Sequence, residues 1–318
     1  MNVVNEQRME LAFELADVRK RYDRGGKEAL KGISLSVPMT RVGLLGPNGA
    51  GKSTLLRLML GLLPFEGAAT VLGYDARTSQ ANIRARIGYM PERDATITGL
   101  SAVELCSYAA ELSGLPHADA IERAHSSLEY VGLGDKRYQV IDGYSTGMKQ
   151  RVKLAQAIVH DPKVLFLDEP TNGLDPEGRE EMLALIAELP SRSGCAVVLS
   201  SHLLHDVERT CERAILLHQG TVIYSGRIDE LRAAGQEDIY EVRVKTGEEI
   251  LANLLSQRGC HIDRENTLLL VKLPANASTD LIFSCADERK LQVRHLQPRR
   301  LSLESAYVRA VHEAGGTT

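Results

Sequence analysis

The chain has little to offer disulfide or zinc chemistry. Its five cysteines (Cys106, Cys195, Cys211, Cys260 and Cys285) are scattered, odd in number and never spaced as CxxC. This argues against a disulfide framework and a zinc site, and suits small buried thiols in a reducing compartment. Long apolar runs are also missing. The greasiest stretch, residues 55–65, is broken by Arg57 and Pro64 and falls short of the ~20 residues that a bilayer span needs. The N-terminal segment carries Glu6, Arg8, Glu10 and Glu14, and so has no apolar signal core. Nor is there an excess of basic charge: the formal charge of the 318 residues is −4, and no basic run exceeds pairs such as Arg299-Arg300. No nucleic-acid partner is expected on that balance. Work at a membrane would need another chain to hold this one there.

What is present reads as two domains, in line with the length. Residues 1–8 read as an N-terminal extension ahead of Met9. Residues 10–18 alternate polar and apolar, as a half-buried strand does, ahead of a turn-rich stretch at Asp23-Arg24-Gly25-Gly26. Residues 41–45 form a short apolar strand that runs into a glycine-rich loop, and residues 53–61 follow with helical leucine spacing. Between Ser101 and Val131 the apolar positions predict two helices, broken near Gly114-Leu115-Pro116. Residues 163–167 and 195–199 are continuous apolar runs of the buried parallel-strand kind, with a helix predicted over 177–189 between them. Strand, helix, strand at this spacing predicts a doubly wound α/β sheet.

Beyond Leu231 the pattern changes, and residues 233–236 suit a linker. Residues 233–318 then read as a strand with Tyr240, Val242 and Val244 on one face, a helix over 248–257, and two strands around Arg264-Glu265-Asn266. A helix over 279–288, a strand over 291–295 and a last helix over 302–311 follow. The order βαββαβ predicts a small ferredoxin-like α+β domain.

The chemistry centres on Gly46-Pro47-Asn48-Gly49-Ala50-Gly51-Lys52-Ser53-Thr54. It matches GxxxxGK[ST] between an apolar strand and a helix, the P-loop context. Its glycines let backbone N–H groups turn inward around phosphate oxygens, and the helix N-terminus adds favourable partial charge. Lys52 is expected against the β- and γ-phosphates, and the Ser53 hydroxyl as a ligand of Mg2+. Asp168 ends the apolar run 164–167 and supplies the carboxylate that a magnesium–triphosphate complex needs at a neighbouring strand end, acting through a water. Glu169 points a second carboxylate at the same space, suited to orienting and deprotonating an attacking water. A third apolar run ends at His202. Three strand ends then converge on one edge, where open α/β sheets bind ligands.

Together these motifs resemble the nucleotide-binding domain of ABC-type ATPases over residues 9–232. The stretch that carries the resemblance is Tyr144-Ser145-Thr146-Gly147-Met148-Lys149-Gln150-Arg151-Val152, similar to that family's signature. It is followed by Leu167-Asp168-Glu169-Pro170, Thr171-Asn172-Gly173-Leu174-Asp175 and Ser201-His202. The resemblance implies a P-loop NTPase core with an antiparallel β subdomain and a helical subdomain at about 101–157. It further implies ATP as ligand, Tyr22 stacked on adenine, and Ser145 and Gly147 opening a helix that grips the γ-phosphate held by an opposite subunit. Asp175 would line that dimer seam, and His202 would touch the γ-phosphate.

Two departures stand out. The usual signature is Leu-Ser-Gly-Gly-Gln, and Glu92 in Ile87-Gly88-Tyr89-Met90-Pro91-Glu92 replaces a usual glutamine. Both variants, and residues 301–309, resemble ATPases that pair with ABC-2 exporter permeases. The implied protein is a cytoplasmic ATPase, peripheral on the membrane through a separately encoded permease, and a homodimer when ATP is bound. Two further readings stay open: a soluble ABC ATPase acting as a clamp on nucleic acid or ribosomes, and a nucleotide sensor without turnover. The −4 charge and the lack of coiled coils or tandem units weigh against the first. The presence of both Glu169 and His202 weighs against the second.

Overall fold

The computed structural model describes residues 10–22, 26, 28–93, 96–233, 239–265, 268–274, 277–299 and 303–315. The expected extension 1–8 with Met9, turn residues Asp23, Arg24 and Gly25, linker positions 234–236, and Asn266, Leu301 and Ser302 lie outside the described residues. The chain divides into two compact units, residues 1–228 with 310–318 and residues 229–309.

The first unit is built on a six-stranded sheet in the spatial order Thr221–Arg227, Arg213–His218, Arg41–Leu45, Ala196–Ser201, Val164–Asp168, Ile87–Met90. All pairs are parallel except the antiparallel edge pair of Thr221–Arg227 with Arg213–His218. Every residue of Val164–Asp168 and of Ala196–Ser201 is buried. Strands covered on both faces have no reason to alternate, so their sequences read as continuous apolar runs.

A second, antiparallel sheet has the order Glu28–Pro38, Leu11–Arg21, Glu66–Val71, Tyr74–Asp75. Its Leu11–Arg21 strand extends to Arg21 beyond the expected 10–18, and its alternation is broken by a bulge at Asp17, which has φ 45°. Gly67 lies against that bulge, where a Cβ would fall 2.3 Å from the Asp17 carbonyl oxygen. The two sheets share one aliphatic core. Across it Phe13 meets Phe166 edge-on at 6.4 Å between ring centroids, a pairing worth about 0.5–1.5 kcal/mol beyond area burial.

Three helices form the expected helical part: Ala102–Leu112, His117–Tyr130 and Thr146–Ile158. The first is fixed at its start by a capping box between Ser101 and Glu104, which satisfies two N–H donors reciprocally. The expected break falls between the first two, at Gly114 with φ 99° and Pro116. The helix expected over 177–189 runs Pro176–Ser193, with Pro190 inside it, and stops at Gly194 in the left-handed region at φ 68°. Its last turn is exposed or half-buried and polar, so the apolar stripe ends before the helix does.

The second unit holds an antiparallel sheet in the order His261–Glu265, Leu268–Lys272, Ile239–Val244, Val293–Pro298, with helices Glu248–Gln257 and Asp280–Glu288. This is the ferredoxin-like order that βαββαβ implies. The last strand starts at Val293, later than the expected 291, because the Leu291 N–H is engaged by the Ala286 carbonyl at the preceding helix end. The final helix is Leu303–Gly315.

All five cysteines are free thiols. Burial pushes the Cys106 and Cys211 thiols up to about 12, leaving almost no thiolate at neutral pH. Cys106, which is fully buried, is not expected to react with iodoacetamide in the folded protein at pH 7. Rapid labelling of Cys106, read by peptide mass spectrometry, would contradict that burial.

Candidate functional site

Strands Arg41–Leu45, Ala196–Ser201 and Val164–Asp168 are adjacent and parallel, so their C-terminal ends open on one edge of the sheet. The first leads into the glycine-rich loop. Gly49 and Gly51 adopt φ 80° and 110°, where an L side chain is strained. At Gly46 the limit is space: a Cβ would lie 2.3 Å from the Leu217 carbonyl oxygen. The loop ends in the helix Lys52–Met59, whose first N–H groups have no intrahelical acceptor.

The loop forms the floor of a cavity of about 650 Å³, walled by Tyr22, Ala29, Glu92, Glu169, Asn172 and His202 and floored by Pro47, Asn48, Gly49, Ala50, Gly51, Lys52, Ser53 and Thr54. Lys52 is only 7% exposed; its Nζ donates to the Gly46 carbonyl at 2.7 Å and stands 3.5 Å from Glu169 Oε1. Ser53 Oγ donates to Asp168 Oδ1 at 3.2 Å. Asp168 is buried, and its Oδ2 has no protein partner. An unmet buried carboxylate oxygen costs about 1–3 kcal/mol or more, and here it lies beside a hydroxyl. An all-oxygen donor set of this kind suits a hard divalent cation such as Mg2+. Among the described residues no group of three or more His, Cys, Asp or Glu could hold a metal alone, so further ligands must come from water or a bound phosphate. Burial first, and the Asp168 charge second, push the phenol of neighbouring Tyr89 above its ordinary range.

Glu169 follows Asp168 in a left-handed backbone conformation, φ 51°, which is uncommon for a residue with a Cβ. Two main-chain bonds hold it there. Its N–H donates to Ser200 O at 3.0 Å, and its carbonyl accepts from Asn172 N at 3.1 Å. The carboxylate is clasped between Lys52 and His202, whose Nδ1 lies 2.8 Å from Oε2. Behind it, fully buried Asp206 accepts from Thr171 Oγ1 at 2.5 Å and Ser201 Oγ at 3.5 Å. Through these two bonds Asp206 joins the loop after Glu169 to the strand end before His202.

At the other wall, Tyr22 is 52% exposed, with its hydroxyl 3.0 Å from Thr54 Oγ1. That bond ties the ring to the mouth of the cavity, where Lys20 Nζ stands 5.3 Å from the ring centroid. Glu92 is exposed, and its carbonyl accepts from Lys153 Nζ at 3.0 Å.

Ser145, Gly147 and Asp175 do not line this cavity. Ser145 Oγ caps the helix Thr146–Ile158 by accepting from Met148 N at 3.3 Å. Asp175 caps the helix Pro176–Ser193 by accepting from Gly178 N at 3.3 Å. Four residues around the site were not anticipated from the sequence: Asn172 in the cavity wall, and Gln150, Lys153 and Asp206 buried behind it. Asn172 and Gln150 lay within stretches quoted for the family resemblance, though without a role of their own. Lys153 and Asp206 are polar residues on otherwise amphipathic helices, and nothing in their spacing separates them from surface positions.

The family model for ABC transporters matches residues 30–172. YxlF of Bacillus subtilis (strain 168), an uncharacterized ABC transporter ATP-binding protein, is 36% identical over 291 residues, 90% of this chain and 95% of that protein. The linearmycin resistance ATP-binding protein LnrL of the same organism is 37% identical, covering 73% of this chain and 75% of its own. The methionine import ATP-binding protein MetN of Caulobacter vibrioides is 39% identical, covering 68% of this chain and 67% of its own. Among solved structures, the dimeric post-hydrolysis state of the ATP-binding cassette MJ0796, bound to ADP and Pi, superposes with a TM-score of 0.63 at 26% identity. It covers 68% of this chain and 98% of that one.

Proposed function

Because this chain belongs to the ABC transporter family as an ATP-binding protein, we propose that two copies of it clasp ATP head to tail. Hydrolysis then powers a separate membrane permease of the ABC-2 exporter type. The observation that carries the reading is the Glu169 carboxylate, held between Lys52 and His202 at the wall of the P-loop cavity.

In this reading the loop N–H groups and Lys52 bind the phosphates, and the half-exposed Tyr22 ring stacks on the adenine. Glu169 takes a proton from the attacking water, oriented by the ion pair and the imidazole on its two oxygens. His202 places its ring beside the γ-phosphate. Ser53 and Asp168 would hold Mg2+, which when bound neutralises charge on the phosphate oxygens. Ser145 and Gly147 lie outside the cavity of their own chain, in keeping with a role toward a second copy's phosphate. There the capped helix start offers free N–H groups, and Asp175 would lie on the seam. ATP then bridges two copies, and its hydrolysis removes the bridge, giving a two-state element.

No helix among the described residues is long and apolar enough to cross a membrane. The chain is therefore proposed to sit on the cytoplasmic face through its permease. Export rests on Glu92, on the Tyr144-to-Met148 signature variant and on the linearmycin resistance relative; the methionine import relative supports the opposite direction.

The head-to-tail geometry is tested by mixing two inactive variants, Lys52→Ala and Gly147→Arg. A mixed dimer regains one intact site, so ATP-dependent phosphate release should return on mixing, with neither variant active alone. Additive zero activity would overturn it. Tyr22→Ala is expected to weaken ATP binding roughly fivefold to a hundredfold, since base–aromatic stacking is worth about 1–3 kcal/mol. Tyr22→Phe should bind as the parent does, checked by calorimetry.

A further inference from the structure

Two buried polar side chains of the helix Thr146–Ile158 have no place in the reading above. Lys153 is 2% exposed and Gln150 is 5% exposed. They stand three residues apart and so share a face. That face reaches both walls of the cavity. Lys153 Nζ donates to the Glu92 carbonyl at 3.0 Å, and Gln150 Nε2 donates to the Asn172 carbonyl at 2.9 Å. Glu92 and Asn172 both line the cavity. A buried ammonium carries a desolvation penalty that an aliphatic side chain of the same length would avoid. Packing alone therefore does not account for a lysine at this position. Its bond to Glu92 spans 61 residues of sequence and ends on backbone, so it ties the helix to the main chain of a loop whose side chain lines the cavity.

We propose that Lys153, seconded by Gln150, is a positioning residue that couples the two ATP sites of the dimer. The inference rests on the head-to-tail reading. The helix that carries Lys153 begins at Thr146, capped by Ser145, the segment assigned to the second copy's phosphate. A helix of 13 residues moves as a body of about 20 Å. An anionic ligand facing the Glu92 carboxylate alters the force on its backbone, and the Lys153 bond passes that to the helix. Occupancy of one cavity thereby sets the orientation of the element that completes the other. Two attachment points, one on each wall, define a tilt where a single point would leave a pivot.

The test compares full-length Lys153→Met and Lys153→Gln with the parent, reading ADP binding and ATP-dependent phosphate release. ADP affinity should stay within about twofold, because neither variant touches the nucleotide, while kcat of Lys153→Met falls roughly tenfold or more on loss of a charged hydrogen bond. Its Hill coefficient for ATP should drop toward about 1 as the sites uncouple. Lys153→Gln keeps a donor and should recover part of both. Parent-like kcat and cooperativity in Lys153→Met would overturn the proposal. So would a loss of ADP binding in step with kcat, which would make Lys153 a packing residue only. A parent protein that releases no phosphate brings down the underlying function instead, and that control tells the two failures apart.

Discussion

Glu169→Gln is expected to bind ATP at parent affinity, release phosphate about 10²- to 10⁴-fold more slowly, the usual contribution of a positioned general base, and accumulate as an ATP-bound dimer. Glutamine matches the shape of the carboxylate and keeps an oxygen to accept from Lys52 Nζ, which stands 3.5 Å away. It loses the basic oxygen that takes the proton. The backbone at residue 169 is unchanged, because its φ of 51° is held by main-chain bonds to Ser200 and Asn172 and not by the side chain. Chemistry is therefore removed while the cavity persists, and the bridging γ-phosphate stays in place. Phosphate release and gel filtration with ATP and magnesium read the two halves of the prediction. A purely monomeric profile, or turnover equal to the parent's, would refute the assignment of Glu169.

Lys52→Ala is expected to abolish useful nucleotide binding. The ammonium is nearly buried and is held by the Gly46 carbonyl and Glu169. Each charge-assisted hydrogen bond to phosphate is worth about 1.5–3 kcal/mol, so one lost contact weakens binding roughly tenfold to a hundredfold. The variant also leaves the Glu169 carboxylate facing a triphosphate with no cation between them, which adds repulsion in the same direction. Calorimetry with ATP, alongside a melting curve to confirm folding, measures the effect. Unchanged affinity in a folded variant would mean that the loop is not the site.

The parts of this site that were legible in the sequence are those set by local geometry. A loop of glycines between an apolar strand and a helix has few conformations, and the carboxylates of Asp168 and Glu169 follow from the strand they end. The buried strands were legible for the same reason, since two covered faces leave only apolar residues. The βαββαβ order of the second unit showed through the alternation of Tyr240, Val242 and Val244. What the sequence hid depended on distant partners. Lys153 reads as an ordinary charge on an amphipathic helix until it is seen against Glu92. Asp206 reads as surface until Thr171 and Ser201 are found around it. The last turn through Pro190 was hidden too, because an exposed turn carries no apolar signal.

The place of the strand Arg41–Leu45 in the middle of its sheet sets a timetable. Its neighbours, Ala196–Ser201 and Arg213–His218, are made some 150 residues later, and Gly46 and Ala50 are braced by Leu217 and Gly220. On a ribosome that emits about 5–20 residues per second, the phosphate loop leaves the exit tunnel long before its supports exist. A nascent chain stalled before Arg213 should ignore nucleotide, and one released beyond Gly220 should capture it, so that ATP is recruited near the end of synthesis of the first unit.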